Sequence, residues 1–187
     1  MSANRFLIWG GEGWVAGHLK TLLESQGKEV HSTTIRMENR EAVLAELDRV
    51  KPTHVLNAAG CTGRPNVDWC EDNKEATIRS NVIGTINLSD ACFLRGIHCT
   101  VFATGCIYQY DDEHPIGGKG FLETDSANFD GSFYSETKAY VEAVSFVPFP
   151  CFPCQPQRSP PQPHPHKRDE EKENKLTASY DVDYQEL

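Results

Sequence analysis

A short apolar run, Phe6-Leu7-Ile8-Trp9, breaks into Gly10-Gly11-Glu12-Gly13-Trp14-Val15-Ala16-Gly17, and an amphipathic stretch follows. Val15, Leu19, Leu22 and Leu23 recur at helical spacing until Gly27 ends the pattern. Strand, glycine turn and helix in that order open a dinucleotide-binding βαβ unit. The glycines Gly10 and Gly13 permit a tight turn and let a pyrophosphate approach the backbone. The first helical N–H groups, at Trp14 and Val15, then face its charge. Alanine stands at position 16 where a third glycine is usual, and it is small enough for close helix–strand packing. A plain glycine turn is the competing reading, and the following segments decide against it.

Lys28 to Thr33 reads as a second strand, and no carboxylate follows it before Glu38. An acidic residue there would favour NADH; Arg36 instead can meet a 2′-phosphate, so NADPH is the expected cofactor and NADH the alternative. Glu41–Val50 predicts a helix and His54–Leu56 a third strand, which runs into the small residues Asn57, Ala58, Ala59 and Gly60. Small residues at a strand's C-terminal end let a cofactor lie over the sheet edge. In the next loop, Thr62 and Arg64 are candidate contacts to an anionic substrate, although surface solvation is the favoured reading of Arg64. A long helix follows with Ile78, Val82 and Ile86 four apart; Gly84 inside it weakens the helix unless another backbone packs close. Thr100–Ala103 predicts a fourth strand that delivers Thr104 and Cys106 to the same edge. The expected fold class is α/β, a Rossmann-like parallel sheet with helices on both faces.

Tyr134 and Lys138 lie four apart, one above the other on a helix. A phenol ordinarily titrates near about 10, and a neighbouring ammonium pulls it towards the working range. The pair can therefore serve as an acid/base unit at a carbonyl. Alone, such a pair is also what a surface helix carries by chance; beside a dinucleotide fold and a convergent Thr104 it points to catalysis.

The net charge of −9 argues against a general nucleic-acid or membrane-surface binder, and no apolar run approaches a membrane span. Seven scattered cysteines read as reduced thiols of a cytoplasmic protein. Eight of the eleven prolines fall between Pro148 and Pro165, followed by a charge run from Lys167 to Lys175. That composition predicts a folded domain over residues 1–144 and a disordered tail over 145–187. Cys151 and Cys154 with His164 and His166 imitate a metal site, but prolines flank them and no metal is expected.

With these residues assembled, positions 6 to 143 resemble the extended short-chain dehydrogenase/reductases. More narrowly, the chain is similar to the plant and fungal nucleotide-sugar 3,5-epimerase/4-reductases of UDP-L-rhamnose synthesis. The closest stretches are Thr62-Gly-Arg-Pro-Asn-Val-Asp-Trp-Cys-Glu71, Ala103-Thr-Gly-Cys-Ile107 and Gly131-Ser-Phe-Tyr-Ser135, running on to Lys138. The resemblance implies Tyr134 as proton donor to the C4 oxygen, Lys138 as holder of the nicotinamide ribose, and Thr104 as a second hydrogen bond to that oxygen. It implies Cys106 as the group that moves protons at C3 and C5, and a nucleotide sugar as substrate. Whether the Asn73–Leu94 and Tyr134 helices form a homodimer is left open by the sequence.

The resemblance fades at about Ala143, before the further strands and C-terminal substrate lobe that such enzymes carry, so the sheet is expected to be incomplete on that side. Val144-Ser145 can be encoded by an intron donor sequence, which makes a retained intron one origin for the tail.

Overall fold

In the computed structural model, which describes residues 4–145, four strands form one parallel sheet. They are β1 (Arg5–Trp9), β2 (Glu29–Thr33), β3 (His54–Asn57) and β4 (His98–Val101), ordered β2-β1-β3-β4. The connections hold α1 (Trp14–Ser25), α2 (Arg40–Val50), the single turns α3 (Trp69–Asp72) and α4 (Lys74–Thr77), a π-wound stretch Ile78–Gly84, and α5 (Thr85–Phe93). After β4 come a 3-10 turn, Gly105–Ile107, and α6 (Phe133–Ser145). The fold is Rossmann-like α/β, as the strand–turn–helix opening predicts.

From β1 the chain steps one way to β2, then back past β1 to β3 and on to β4. Right-handed crossovers therefore put α1 on one face and α2 and α5 on the other. Alternation along the strands sorts the side chains accordingly. Leu7, Trp9 and Val55 meet Val43, Leu47 and Val50 of α2 and Leu88, Ala91 and Cys92 of α5 in one buried cluster. Ile8, equally buried, points to the α1 side, where Ala16 packs at 1% exposure. The rest of the α1 stripe is poorly covered, with Val15 37% and Leu22 54% exposed.

Two expectations need correction. β4 begins two residues earlier than predicted, because its register pairs His54 with His98 and Asn57 with Val101. Ala103 and Thr104 thus lie beyond the strand, above the sheet edge. The inward face of the long helical segment is also not the isoleucine stripe: Ile78 and Ile86 are 38% and 39% exposed, whereas Thr77, Asn81, Thr85 and Leu88 are buried. Gly84 meets its stated condition, since a Cβ there would lie 3.0 Å from Met37 Cβ and 3.4 Å from Glu38 N. Polar and small residues face inward here because this part of the helix borders a site.

Among the described residues no helix is long and apolar enough to cross a membrane, and Cys61, Cys70, Cys92, Cys99 and Cys106 are all free thiols. The predicted tail, with its Cys151, Cys154, His164 and His166, lies outside the described residues apart from Ser145, which ends α6.

Candidate active site

The glycine turn is fastened to the strand ends around it. Gly10 N and Gly11 N both donate to Thr33 O, at 3.1 and 2.9 Å, and Ala58 N donates to Trp9 O at 3.1 Å. Gly10 has φ +82°, and a Cβ there would lie 2.8 Å from Ala59 Cα, so only glycine lets the two backbones touch. Gly13 caps α1 without a side-chain hydrogen bond, which leaves the N–H groups of Trp14 and Val15 for a ligand. Asn57 is fully buried; its Oδ1 accepts from Ala59 N at 3.1 Å, and its Nδ2 has no partner among the described residues. An uncapped helix start, a glycine cradle and an orphaned buried amide together fit a dinucleotide.

On the far side of this edge stands the acid/base group. Thr104 precedes the 3-10 turn, its Oγ1 accepting from Cys106 N at 3.2 Å. Tyr134 and Lys138 occupy successive turns of α6 and are only 6% and 7% exposed. Lys138 Nζ lies 5.9 Å from the Tyr134 ring centroid, and a Cβ at Gly60 would be 3.3 Å from that Nζ. The Thr104 hydroxyl lies near enough to the Tyr134 phenol to favour its ionised form. Cys106 is exposed. Thr104, Tyr134 and Lys138 are thus brought together at the strand ends, with Gly60 against the lysine.

Their electrostatics differ from the expectation. Burial holds the Tyr134 phenol above its ordinary value, the neighbouring Thr104 hydroxyl opposes this, and the Cys106, Cys70 and Cys61 thiols add to it. Burial lowers Lys138, with Cys61 pulling the other way. The ammonium does not bring the phenol down here, because desolvation of both groups outweighs their proximity.

Burying Lys138 carries a cost that depends on pH. Its folded-state pKa lies below that of the unfolded chain, so the cost of burying its charge is fully present below the folded value. That cost disappears as pH rises towards the ordinary value of 10.5. Lys138→Met should raise Tm at neutral pH by roughly 2–4 °C, the rise that about 1 kcal/mol gives in a chain of this size. Thermal melts across pH 7 to 10 should show the gap between variant and parent closing. An unchanged or lower Tm for the variant would show that the charge is stabilised in place.

Three supporting contacts have no sequence signature. Ser135 Oγ donates to Cys106 O at 2.7 Å, and Ser132 Oγ donates to Ser135 Oγ at 2.8 Å, tying the start of α6 to the Thr104 turn. Glu71 Oε1 accepts from Phe133 N at 2.7 Å, capping α6 from the single turn α3. Asn81, on the π-wound stretch, clamps Cys61 from both sides: Oδ1 accepts from Cys61 N at 2.6 Å and Nδ2 donates to Cys61 O at 2.9 Å.

Between the 3-10 turn and α6 the chain makes an excursion closed at its neck by Asn128. Gln109 N donates to Asn128 Oδ1 at 2.7 Å, Asn128 Nδ2 donates to Gln109 O at 3.0 Å, and Asn128 N and Phe129 N share Ile107 O. Inside it His114 lies between Asp111 and Asp125, its nitrogens 3.1 and 3.6 Å from their oxygens.

A cleft of about 460 Å³ opens at the strand ends, lined by Arg36, the Gly60–Arg64 loop, Trp69 and Ser80. Gly63 turns in the left-handed region at φ +69°, where a Cβ would overlap the Trp69 side chain. Thr62 and Arg64, expected near a substrate, therefore share a wall with Arg36, expected at the cofactor. A second hollow, beside Pro52 and Ile97, lies at the strands' N-terminal ends, away from where such sheets bind ligands.

The description "NAD dependent epimerase/dehydratase family" matches residues 6–145. The chain belongs to that family. The resemblance read from the glycine turn and the Tyr134–Lys138 pair is borne out at this level. Within the family, the chain is 52% identical over 144 residues to a bifunctional dTDP-4-dehydrorhamnose 3,5-epimerase/dTDP-4-dehydrorhamnose reductase of Arabidopsis thaliana, covering 76% of this chain and 48% of that one. The crystal structure of the L780 UDP-rhamnose synthase from Acanthamoeba polyphaga mimivirus superposes with TM-score 0.67 at 31% identity, covering 76% of this chain and 52% of that chain. Thermus thermophilus UDP-glucose 4-epimerase, solved in complex with NAD, gives TM-score 0.63 at 25% identity over 75% of this chain and 49% of the other. The chain spans about half the length of each of these proteins.

Proposed function

We propose that this chain carries the cofactor-binding and acid/base half of an NADPH-dependent 3,5-epimerase/4-reductase. Its substrate class is a nucleotide-linked 4-keto-6-deoxy sugar, and its product is UDP-L-rhamnose. The observation that carries this reading is the gathering of Thr104, Tyr134 and Lys138 beside the glycine turn, in a chain 52% identical to an epimerase/reductase. When bound, the reduced nicotinamide supplies a hydride. Tyr134 gives its proton to the C4 oxygen, and Thr104 donates a hydrogen bond to the same oxygen. Lys138, beside Gly60, would hold the nicotinamide ribose, and Arg36 would favour the phosphorylated dinucleotide. The 4-keto group acidifies the protons at C3 and C5, and the exposed Cys106 thiol exchanges them. We place the reaction in the cytoplasm.

The glycine cradle and the orphaned Asn57 amide bear on the dinucleotide alone and allow a second reading: a non-catalytic NAD(P)-binding fragment or regulatory subunit. One experiment separates them. The full chain is mixed with NADPH and UDP-4-keto-6-deoxyglucose in D₂O, and nicotinamide absorbance is followed beside deuterium uptake at C3 and C5. The enzymatic reading expects oxidation and uptake together. Dinucleotide binding with neither oxidation nor uptake would replace it with the second.

A further inference from the structure

We infer that Arg64 is a specificity-determining residue for the cofactor, closing with Arg36 on the 2′-phosphate of a phosphorylated dinucleotide. The inference rests on the nicotinamide-cofactor reading above and adds to it a residue that sequence reasoning assigned to substrate or to solvent.

The position is set by the backbone. Thr33, the last residue of β2, accepts hydrogen bonds from both Gly10 N and Gly11 N, so the end of β2 adjoins the pyrophosphate cradle. A dinucleotide whose pyrophosphate sits on the opening turn of α1 places its adenosine ribose just past the end of β2. Arg36 stands there. The cleft it lines also takes in Gly60, beside Lys138, so it joins the loop after β3 to the segment beyond β2.

Arg64 reaches this cleft from a different part of the chain because three features fix its loop. Asn81 clamps the Cys61 backbone on both sides, Gly63 turns left-handed against Trp69, and the π-wound stretch that carries Asn81 also brings Ser80 to the cleft wall. A wider-wound helical turn of this kind commonly marks a functional site.

Charge then points to the ligand. The whole chain is net −9, yet this cleft is lined by two guanidinium groups and no carboxylate. Among the described residues neither arginine makes an ion pair. Two arginines lining one cleft favour an anion there. A phosphate monoester suits that place, since it carries close to two charges and offers oxygens to two planar forks at once. The hydroxyls of Thr62 and Ser80, on the same wall, supply further donors.

The test uses the full chain and two probes without nicotinamide, 2′,5′-ADP and 5′-ADP, with UDP as the third ligand, all measured by titration calorimetry. The parent should prefer 2′,5′-ADP. Arg64→Gln should weaken 2′,5′-ADP binding about tenfold or more and leave 5′-ADP within about twofold. Arg64→Lys should restore only part of the loss, because charge returns without the fork. Arg64 is exposed, so both variants should melt with the parent. Equal weakening of both adenine probes, or of neither, overturns the inference. Loss of UDP binding in its place overturns it too, by giving the arginine to the sugar nucleotide. A parent that binds UDP but neither adenine probe overturns the nicotinamide reading itself, a result distinct from the other two.

Discussion

Tyr134→Phe is expected to lower reduction of the 4-keto sugar by about 10²- to 10⁴-fold, the usual worth of a positioned proton donor. The substitution removes one oxygen from a ring that is 6% exposed and leaves the ring's packing in place. Thr104 keeps its own bond from Cys106 N, so the turn that carries it does not depend on the phenol. Dinucleotide affinity should therefore stay within about threefold and Tm within a few degrees, while turnover falls. Because burial holds the phenol above its ordinary value, Tyr134 stays protonated at neutral pH and is ready to donate. A variant that keeps more than a tenth of parental turnover, with the same cofactor affinity, would remove Tyr134 from the chemistry.

The second large effect is structural. Gly10→Ala places a Cβ 2.8 Å from Ala59 Cα, 2.9 Å from Ala59 N and 3.1 Å from Ala58 C, all backbone atoms that cannot rotate away. The residue also sits at φ +82°, where an L side chain is strained. Strain and overpacking together amount to about 2–5 kcal/mol, a large share of a domain's total stability. Tm should fall by roughly 5–20 °C, and dinucleotide binding should be lost even where the protein is still folded. Gly17→Ala is the matched control: nothing lies within 4 Å of its Cβ, and alanine is the better helix former. Similar melting of the two variants would mean that the turn between β1 and α1 is softer than its contacts imply.

How much of this was legible in the sequence depends on how far each determinant reaches along the chain. The glycine turn and the Tyr134–Lys138 pair are local patterns, and both landed where periodicity and spacing put them. Asn81 and Ser135 act on backbone atoms of Cys61 and Cys106, far away in sequence, so no window of neighbouring residues reveals them. The isoleucines at 78 and 86 misled because an apolar stripe normally marks the buried face; beside a polar site Thr77, Asn81 and Thr85 take that place. Spacing put an ammonium near the Tyr134 phenol but said nothing of how deeply both would be buried. That depth comes from the packing of α6 against the helical segment before β4, and it reverses the direction of the shift. Arg36 and Arg64 line one cleft although they come from different loops, which no local pattern reveals.

The clasp at Asn128 has a consequence for how this chain can change. Its bonds to Gln109 and Ile107 close the excursion before α6 begins, and the Ser135 bond to Cys106 fixes the helix beyond it. For a flexible loop closed at its ends, doubling the length costs only about 0.6 kcal/mol. Residues 110–127 can therefore lengthen, shorten or change their lettering over evolutionary time while Thr104 and Tyr134 keep the same separation.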